Sequence, residues 1–347
     1  MKKLIFCFDG TCNNPEDSGD FFEDTSISNI LKLHAFFGGK LSPLNGENEK
    51  TAKQHSFYYS GVGTRGNWLQ QKFNSMFAPA DGDTADIIAD AKKDLKEFGD
   101  NGEEIYIFGF SRGAAIARTF AAEIEREVKF LGVFDTVAAT KGSLDLDPDT
   151  YPASGVIFKD CTMGAHIEEA VHLVSLDEKR LAFQPALFNK DDRVTEVWFS
   201  GVHSDIGGGY WFDGLSDITL KFMIDRLKGR LKVLDIKDIE YGSLKIADAE
   251  DTICDDDLNI NPLCNGSIHE QKRSGVFAKT LAPRFMRVCI EDLPSQNDRD
   301  IPTVHHTVSD RFKEVTAYRP YALRDAKFHI MDKDGNVGDD LKGVANL

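Results

Sequence analysis

Short, continuous runs of apolar residues alternate with longer segments of helical periodicity through most of this chain. Runs typical of buried strands occupy residues 3–8, 56–60, 104–109, 129–134 and 195–202. Because most of these runs are uniformly apolar and do not alternate with polar residues, they predict strands that are covered on both faces.

Segments with a period close to 3.6 residues separate the strand-like runs. They predict helices at 26–37, 83–98, 112–127, 166–180 and 215–228. Strands that alternate with helices indicate a parallel sheet with helices on both sides. The predicted fold class is therefore α/β, with a mostly parallel central sheet that is covered by helices on both faces.

Domain organisation follows from where this pattern weakens. No Pro/Gly/Ser-rich linker divides the chain, so residues 1–347 are predicted to form one domain. Periodicity is lost over 229–300, which predicts a peripheral insertion or cap, and its acidic run 248–257 is interpreted as a solvated face and not as a metal site. Large apolar side chains share a helical stripe in 65–80, which indicates either a lid or interfacial segment or a helix packed in the core.

Charge and cysteine content exclude several classes of function. With 41 basic and 57 acidic residues the net charge is −16, which opposes binding to nucleic acid and to anionic membrane surfaces. Contact with lipid is then expected to be transient and to use apolar groups. The six cysteines lack paired spacing, and the apolar stretch 4–8 is too short for a signal peptide or membrane span. Cytoplasmic synthesis in the producing cell is the expectation.

The most informative motif is Gly109-Phe110-Ser111-Arg112-Gly113. It follows a strand-like run and precedes a helix rich in small residues, which is the setting of a nucleophile elbow. In such an elbow a serine hydroxyl is presented above the carboxyl edge of a sheet, and the flanking glycines allow the backbones to approach closely. Ser111 is therefore the predicted nucleophile, and an ordinary structural turn is the alternative interpretation.

An activated serine needs a general base and an acid that orients it, and in this fold class they follow the serine along the chain. Asp135 and His203 come directly after later strand-like runs, so both are predicted to lie at the same edge of the sheet as Ser111. Alternatives stay open at this point. Asp205 competes as the acid, and His305 or His306 compete as the base.

Two segments offer backbone amides for the oxyanion that forms during acyl transfer. The predicted donors are the N–H groups near Gly10 and Thr11, after the first strand, and that of Arg112, directly after the nucleophile. Such a reaction requires no metal ion and no organic cofactor, and none is expected.

Six motifs in order resemble one family: residues 8–11, 61–64, 109–115, 130–137, 175–180 and 198–210. In these segments the chain resembles the α/β-hydrolase family that contains the type VI secretion phospholipase effectors, which are antibacterial lipases, together with many uncharacterised bacterial and fungal members. The resemblance implies an α/β-hydrolase-like fold and a triad of Ser111, Asp135 and His203. It also implies ester hydrolysis, with phospholipids as the substrate class.

The predicted function is therefore a serine ester hydrolase of phospholipase A type. Membership among the effectors would add secretion into target cells and an immunity or inhibitor protein as a partner. Two other functions remain open on the sequence alone. One is an esterase that acts on a soluble, non-lipid ester, and the other is a noncatalytic hydrolase-like module that binds a partner or a small ligand.

Overall fold

The structure, a computed structural model, describes most of the chain. The described residues are 1–10, 25–41, 52–61, 81–100, 102–138, 163–245, 253–270, 281–344 and 347. The predicted lid or interfacial segment 65–80 lies outside them, as do Thr11 and residues 248–252 of the acidic run 248–257.

Within these residues nine strands form one sheet with the order β11-β10-β9-β6-β5-β4-β3-β1-β2. All neighbours are parallel except β10 and β11. The strands are β1 (Lys3–Phe8), β2 (Gln54–Tyr59), β3 (Glu104–Phe110), β4 (Val128–Phe134), β5 (Ala170–Ser175), β6 (Val194–Phe199), β9 (Thr303–His305), β10 (Lys327–Met331) and β11 (Leu341–Lys342). A separate hairpin pairs β7 (Cys289–Ile290) with β8 (Leu293–Pro294).

Seven α-helices accompany the strands in the described part of the chain. They are α1 (Asn29–Phe36), α2 (Asp81–Phe98), α3 (Ser111–Glu123), α4 (His203–Gly207), α5 (Gly214–Leu227), α6 (Asp255–Leu258) and α7 (His306–Glu314). Apolar residues of α1 and α5 belong to one core cluster, and those of α2 and α3 belong to another.

The two clusters lie on opposite faces of the sheet, as β1 demonstrates. Ile5 and Cys7 belong to the cluster of α1 and α5, whereas Leu4, Phe6 and Phe8 belong to the cluster of α2 and α3. Side chains alternate between the faces of a strand, so uniformly apolar β1 is buried from both sides. The predicted α/β fold with a mostly parallel, doubly covered sheet is confirmed.

The predicted helix over 166–180 is wrong, because the segment contains β5, whose six residues are all buried at the centre of the sheet. A short apolar run that is buried on both faces has no period of its own, so helix and strand cannot be told apart by pattern. The sequence pattern also missed the strands that follow 195–202, namely the hairpin β7–β8 and the strands β9, β10 and β11 of the main sheet.

The predicted cap region 229–300 contributes buried side chains to the main body of the protein. Residues that join the core cluster of α1 and α5 include Leu231, Ile239, Leu244, Ile253 and Leu258. The interpretation of this region as a cap stays a prediction.

Chain connections leave the sheet in opposite directions at the carboxyl ends of β1 and β3. After β1 the chain turns to one face, through α1, and after β3 it turns to the opposite face, through α3. Neighbouring strands whose connections leave on opposite faces form a topological switch point, where open α/β sheets bind ligands. Asp9 and Ser111 directly follow these two strands.

Candidate active site

Ser111 is the first residue of α3 and has a backbone φ of +57°. This left-handed conformation is unfavourable for a residue with a Cβ, and it is the strained turn that characterises a nucleophile elbow. The glycines on either side are required by close backbone approach. A Cβ on Gly109 would lie 2.6 Å from the Ala114 Cα, and a Cβ on Gly113 would overlap the carbonyl oxygens of β1 and Asp9.

We expect Gly113→Ala to destabilise the protein by roughly 1–3 kcal/mol, because the added methyl overlaps the carbonyl oxygens of Phe8 and Asp9. In a helix, alanine is ordinarily favoured over glycine by up to about 1 kcal/mol, so the overlap has to outweigh that gain. Urea denaturation measures the difference. Gly242→Ala is the control, since a Cβ there meets nothing within 4 Å. A Gly113→Ala variant as stable as the wild type would contradict the tight elbow.

Strand register brings the serine and the predicted acid together. Phe110, the last residue of β3, is paired with Phe134, the last residue of β4. Ser111 and Asp135 follow these aligned positions, and the N–H of Val137 donates to the Ser111 carbonyl over 3.1 Å. Asp135 also has a positive φ, of 37°.

Asp135 is fully buried and accepts hydrogen bonds from three directions. His203 Nδ1 lies 2.6 Å from its Oδ2, and the Ser175 N–H donates to its Oδ1 over 3.0 Å. The Arg284 guanidinium contacts both carboxylate oxygens, over 2.7 and 2.9 Å. Burial by itself would raise the pKa of Asp135, but the charge of Arg284 and the interaction with His203 outweigh burial and hold that pKa well below its ordinary value. The carboxylate therefore stays ionised.

His203 begins α4, and its ring packs against two aromatic rings. The centroid of its ring lies 4.7 Å from that of Phe110 and 4.9 Å from that of Phe183. Its backbone N–H donates to the Glu178 carboxylate over 3.2 Å. Burial lowers the pKa of His203, and the neighbouring Asp135 only partly offsets that effect. A neutral imidazole donates Nδ1–H to the carboxylate, which leaves Nε2 as a proton acceptor.

The serine and the histidine are joined through their neighbours. The ring of Phe110, directly before Ser111, packs on His203, and a Cβ on Gly207 at the end of α4 would overlap that ring. Both residues are described, and no hydrogen bond links Ser111 Oγ to His203 here. Hydrogen bonds of this kind are often long in the absence of substrate and shorten when it binds.

Of the predicted oxyanion donors, Arg112 lies in the first turn of α3, where backbone N–H groups have no helical acceptor. The N–H of Gly10 instead donates to Asp9 Oδ1 over 2.6 Å. Asp9 Oδ2 accepts from two hydroxyl groups, those of Ser28 (2.6 Å) and Tyr58 (2.7 Å). For the Gly10 amide to meet an oxyanion, Asp9 Oδ1 has to release it.

Asp205, the alternative acid, is bound elsewhere. Its Oδ1 lies 2.5 Å from His269 Nδ1, and its Oδ2 accepts the Val202 N–H at the start of α4. The His269 ring stacks on Tyr210 at 3.8 Å. Asp205 therefore caps α4 and pairs with a different histidine.

The alternative bases are also engaged away from Asp135. His305 Nδ1 lies 2.8 Å from the Thr307 hydroxyl, and its ring stacks on Phe199. Burial lowers the pKa of His305 to about 3. His306 Nδ1 lies 2.9 Å from Asp310, one helical turn along α7.

Several residues around Asp135 and His203 were not predicted from the sequence. Ser175, Glu178 and Arg180 lie in a motif that carried the family resemblance without an assigned role. Arg180 binds Glu178 through two nitrogens, and its guanidinium lies 3.6 Å from the Phe183 ring. Arg284 could not be identified from the local sequence pattern, because it lies in the region where periodicity is lost.

Metal-binding clusters and membrane-spanning helices are both absent from the described residues. No group of three or more His, Cys, Asp or Glu side chains there is arranged to hold a metal ion. Nor does any helix in the described ranges combine the length and apolar content that crossing a membrane requires.

Together, the doubly covered parallel sheet and the strand–serine–helix turn at its carboxyl edge define an α/β-hydrolase-like protein. A model of the family described as "T6SS, Phospholipase effector Tle1-like, catalytic domain" matches residues 2–126 and 121–226, where T6SS is the type VI secretion system. These segments cover more than half of the chain, so the chain belongs to this family. The resemblance that the motifs indicate is confirmed.

Similar proteins extend over different parts of the chain. The uncharacterized protein YEL023C of Saccharomyces cerevisiae is 34% identical over 138 residues, which is 36% of this chain and 17% of the yeast protein. The crystal structure of an uncharacterized protein from Pseudomonas aeruginosa covers 75% of this chain and 49% of its own, at 19% identity and a TM-score of 0.47. The structure of the Tle1 effector bound to the VgrG spike from the type VI secretion system matches over 60% of this chain and 51% of its own chain, at 23% identity and a TM-score of 0.37. The chain thus spans about half the length of these solved chains.

Proposed function

We propose that the protein is a serine hydrolase that cleaves acyl esters of phospholipids, with Ser111 as nucleophile, His203 as general base and Asp135 as the orienting acid. The observation that carries the proposal is the 2.6 Å contact between His203 and a buried, ionised Asp135, at the ends of strands beside the strained serine. The family description supports phospholipid as the substrate class.

In this mechanism His203 Nε2 accepts the Ser111 hydroxyl proton as Oγ attacks the ester carbonyl carbon. The new C–O bond converts the carbonyl to a tetrahedral oxyanion, which accepts hydrogen bonds from the Arg112 amide and, once Asp9 releases it, the Gly10 amide. The C–O bond to the lysolipid then breaks, and His203 protonates the leaving alkoxide. Water, deprotonated by the same imidazole, hydrolyses the acyl-enzyme and releases fatty acid.

Purified protein on phosphatidylethanolamine vesicles, with products identified by mass spectrometry, tests the proposal. We expect free fatty acid and lysolipid, and a fluorophosphonate probe attached to the peptide that contains Ser111. Hydrolysis of a short-chain soluble ester that does not accelerate above its micelle concentration would indicate a non-lipid esterase instead. A protein that the probe does not label and that hydrolyses neither substrate would be a noncatalytic module.

Lipid charge is expected to change the rate. With a net charge of −16, the protein should hydrolyse zwitterionic vesicles faster than vesicles rich in phosphatidylglycerol at low salt. The difference should shrink as salt rises from about 0.01 to 0.15 M, because the Debye length falls from roughly 30 to 8 Å. Initial rates on the two vesicle types across this range measure the effect. A preference for anionic vesicles that salt abolishes would point to a local basic surface.

The family description supports the effector role, and delivery into target cells is part of the proposal. Transient contact with the membrane surface and an immunity or inhibitor protein are further proposed partners. Production in the periplasm of a test bacterium should arrest growth and release fatty acid, and a Ser111 variant should do neither. Normal growth with active enzyme present would contradict a toxic role.

A further inference from the structure

A buried arginine from outside the predicted triad makes a bidentate contact with the predicted acid, Asp135. Arg284 Nη1 donates to Asp135 Oδ1 over 2.7 Å and Nη2 donates to Oδ2 over 2.9 Å, and both residues are almost fully excluded from solvent. Asp135 thus shares its carboxylate between a guanidinium and His203.

The backbone fixes this guanidinium in place. Arg284 Nη1 also donates to the Ser175 carbonyl at the end of β5 over 2.9 Å, and Nη2 contacts the Phe183 carbonyl. Its own segment is anchored two residues earlier, where the Ala282 N–H donates to the Lys179 carbonyl over 2.7 Å. Arg284 therefore joins the segment that follows residue 280 to the strand ends that form the site.

We propose that Arg284 is a positioning residue for this hydrolase: it aligns the Asp135 carboxylate with His203 and sets the basicity of that histidine. The inference rests on the proposed function, because it assigns Arg284 a role in the same reaction.

Two effects oppose each other at His203. The negative charge of Asp135 favours the protonated imidazolium, whereas a cation bound to that carboxylate reduces this effect. With Arg284 in place the carboxylate orients the ring while stabilising the imidazolium less. Removing the cation while keeping Asp135 ionised should therefore raise the pKa of His203, by about one unit.

Charged groups around His203 come from several elements. They are Asp135 after β4, Glu178 and Arg180 after β5, Asp205 on α4 itself, and Arg284 from the segment after residue 280. Among them Arg284 is the cation in contact with both oxygens of the carboxylate that binds the imidazole Nδ1. Burial alone would raise the pKa of Glu178, but the contact with Arg180 outweighs burial, and the charge of Arg284 also helps to lower that pKa.

Arg284→Met and Arg284→Lys separate the two parts of the proposal. A base must be neutral to act, so activity rises as pH rises through the pKa of His203. In Arg284→Met the acid limb of the pH profile of kcat/KM, where activity rises with pH, should move to a pH about one unit higher. In the same variant kcat should fall with little change in KM. Arg284→Lys keeps the charge but loses the planar bidentate contact. The acid limb of the pH profile should therefore stay at the wild-type pH while kcat falls by about tenfold.

Arg311→Met is the matched control, because Arg311 is also buried and donates to backbone carbonyls, those of Cys264 and Gly266. It should lower the melting temperature without moving the acid limb. If Arg284→Met unfolds, Arg284→Lys still tests the alignment, and low concentrations of guanidinium ion added to Arg284→Ala should restore part of its kcat. An acid limb and kcat unchanged in all Arg284 variants would overturn the inference.

An NMR titration of His203 distinguishes failure of this inference from failure of the proposed function. Ring-labelled histidine reports the pKa of His203 in the wild type and in Arg284→Met without any substrate. A higher pKa in the variant supports the tuning role even if the wild type hydrolyses no ester, in which case the proposed function fails by itself. An equal pKa in the two proteins contradicts the tuning role whether or not the wild type is active.

Discussion

Replacing Ser111 with alanine should lower ester turnover by roughly 10⁶-fold and abolish fluorophosphonate labelling, because no covalent acyl-enzyme can form without the hydroxyl. Turnover by purified protein on phospholipid vesicles, normalised to folded protein, measures the loss. Ser204→Ala, at a serine next to His203 on α4, is the matched control and should keep wild-type turnover.

The strained backbone gives a second readout of the same position. Ser111 has a φ of +57°, and a non-glycine residue in this conformation costs about 1–2 kcal/mol. Ser111→Gly should therefore unfold at a higher urea concentration than Ser111→Ala, although both are inactive. Turnover within about tenfold of the wild type in either variant would exclude the covalent mechanism.

Replacing Asp135 with asparagine should lower kcat by about 10⁴-fold, because an amide no longer selects the imidazole tautomer that leaves Nε2 free to accept the serine proton. Steady-state kinetics on a soluble ester measures this loss. Asp205→Asn tests the alternative acid and should cost much less, since Asp205 pairs with His269. A larger loss in Asp205→Asn than in Asp135→Asn would reassign the acid.

Asp135→Asn should also destabilise the protein, by about 3–5 kcal/mol near neutral pH, because the buried Arg284 loses its counter-charge. The pKa of Asp135 is lower in the folded than in the unfolded protein, so its contribution is fully present above the unfolded pKa of about 4. It is lost as pH falls toward the folded pKa. The difference in unfolding free energy between wild type and variant should therefore shrink as pH falls below about 4.

Local pattern was sufficient for much of the fold and for the residues of the candidate site that follow a strand directly. β1, β3 and β4 were predicted within about one residue, because uniformly apolar runs bounded by polar turns have few other interpretations. Ser111 and Asp135 could be placed at one edge because the carboxyl ends of parallel strands lie together. The elbow glycines were recognisable because close backbone approach excludes a side chain.

Other features have no local signal. β5 has the length and composition of either a helix segment or a buried strand, and only its position between β4 and β6 selects the strand. Chain order and the family resemblance favoured Asp135 over Asp205 as partner of His203, but the contact itself could not be read from the sequence. Both follow suitable strands, and His269, which binds Asp205, lies 64 residues further along the chain.

By itself, then, the sequence determined the alternation of buried strands and helices, the serine turn and the family, since each depends on residues close together in the chain. Only the tertiary structure showed that Asp135 contacts His203 while Asp205 binds His269, and that Arg284, 149 residues beyond Asp135, binds the same carboxylate. The physical reason is that an ion pair between side chains leaves no periodic trace in the chain. Its free energy depends on distance and burial, and these exist only after the strands have assembled.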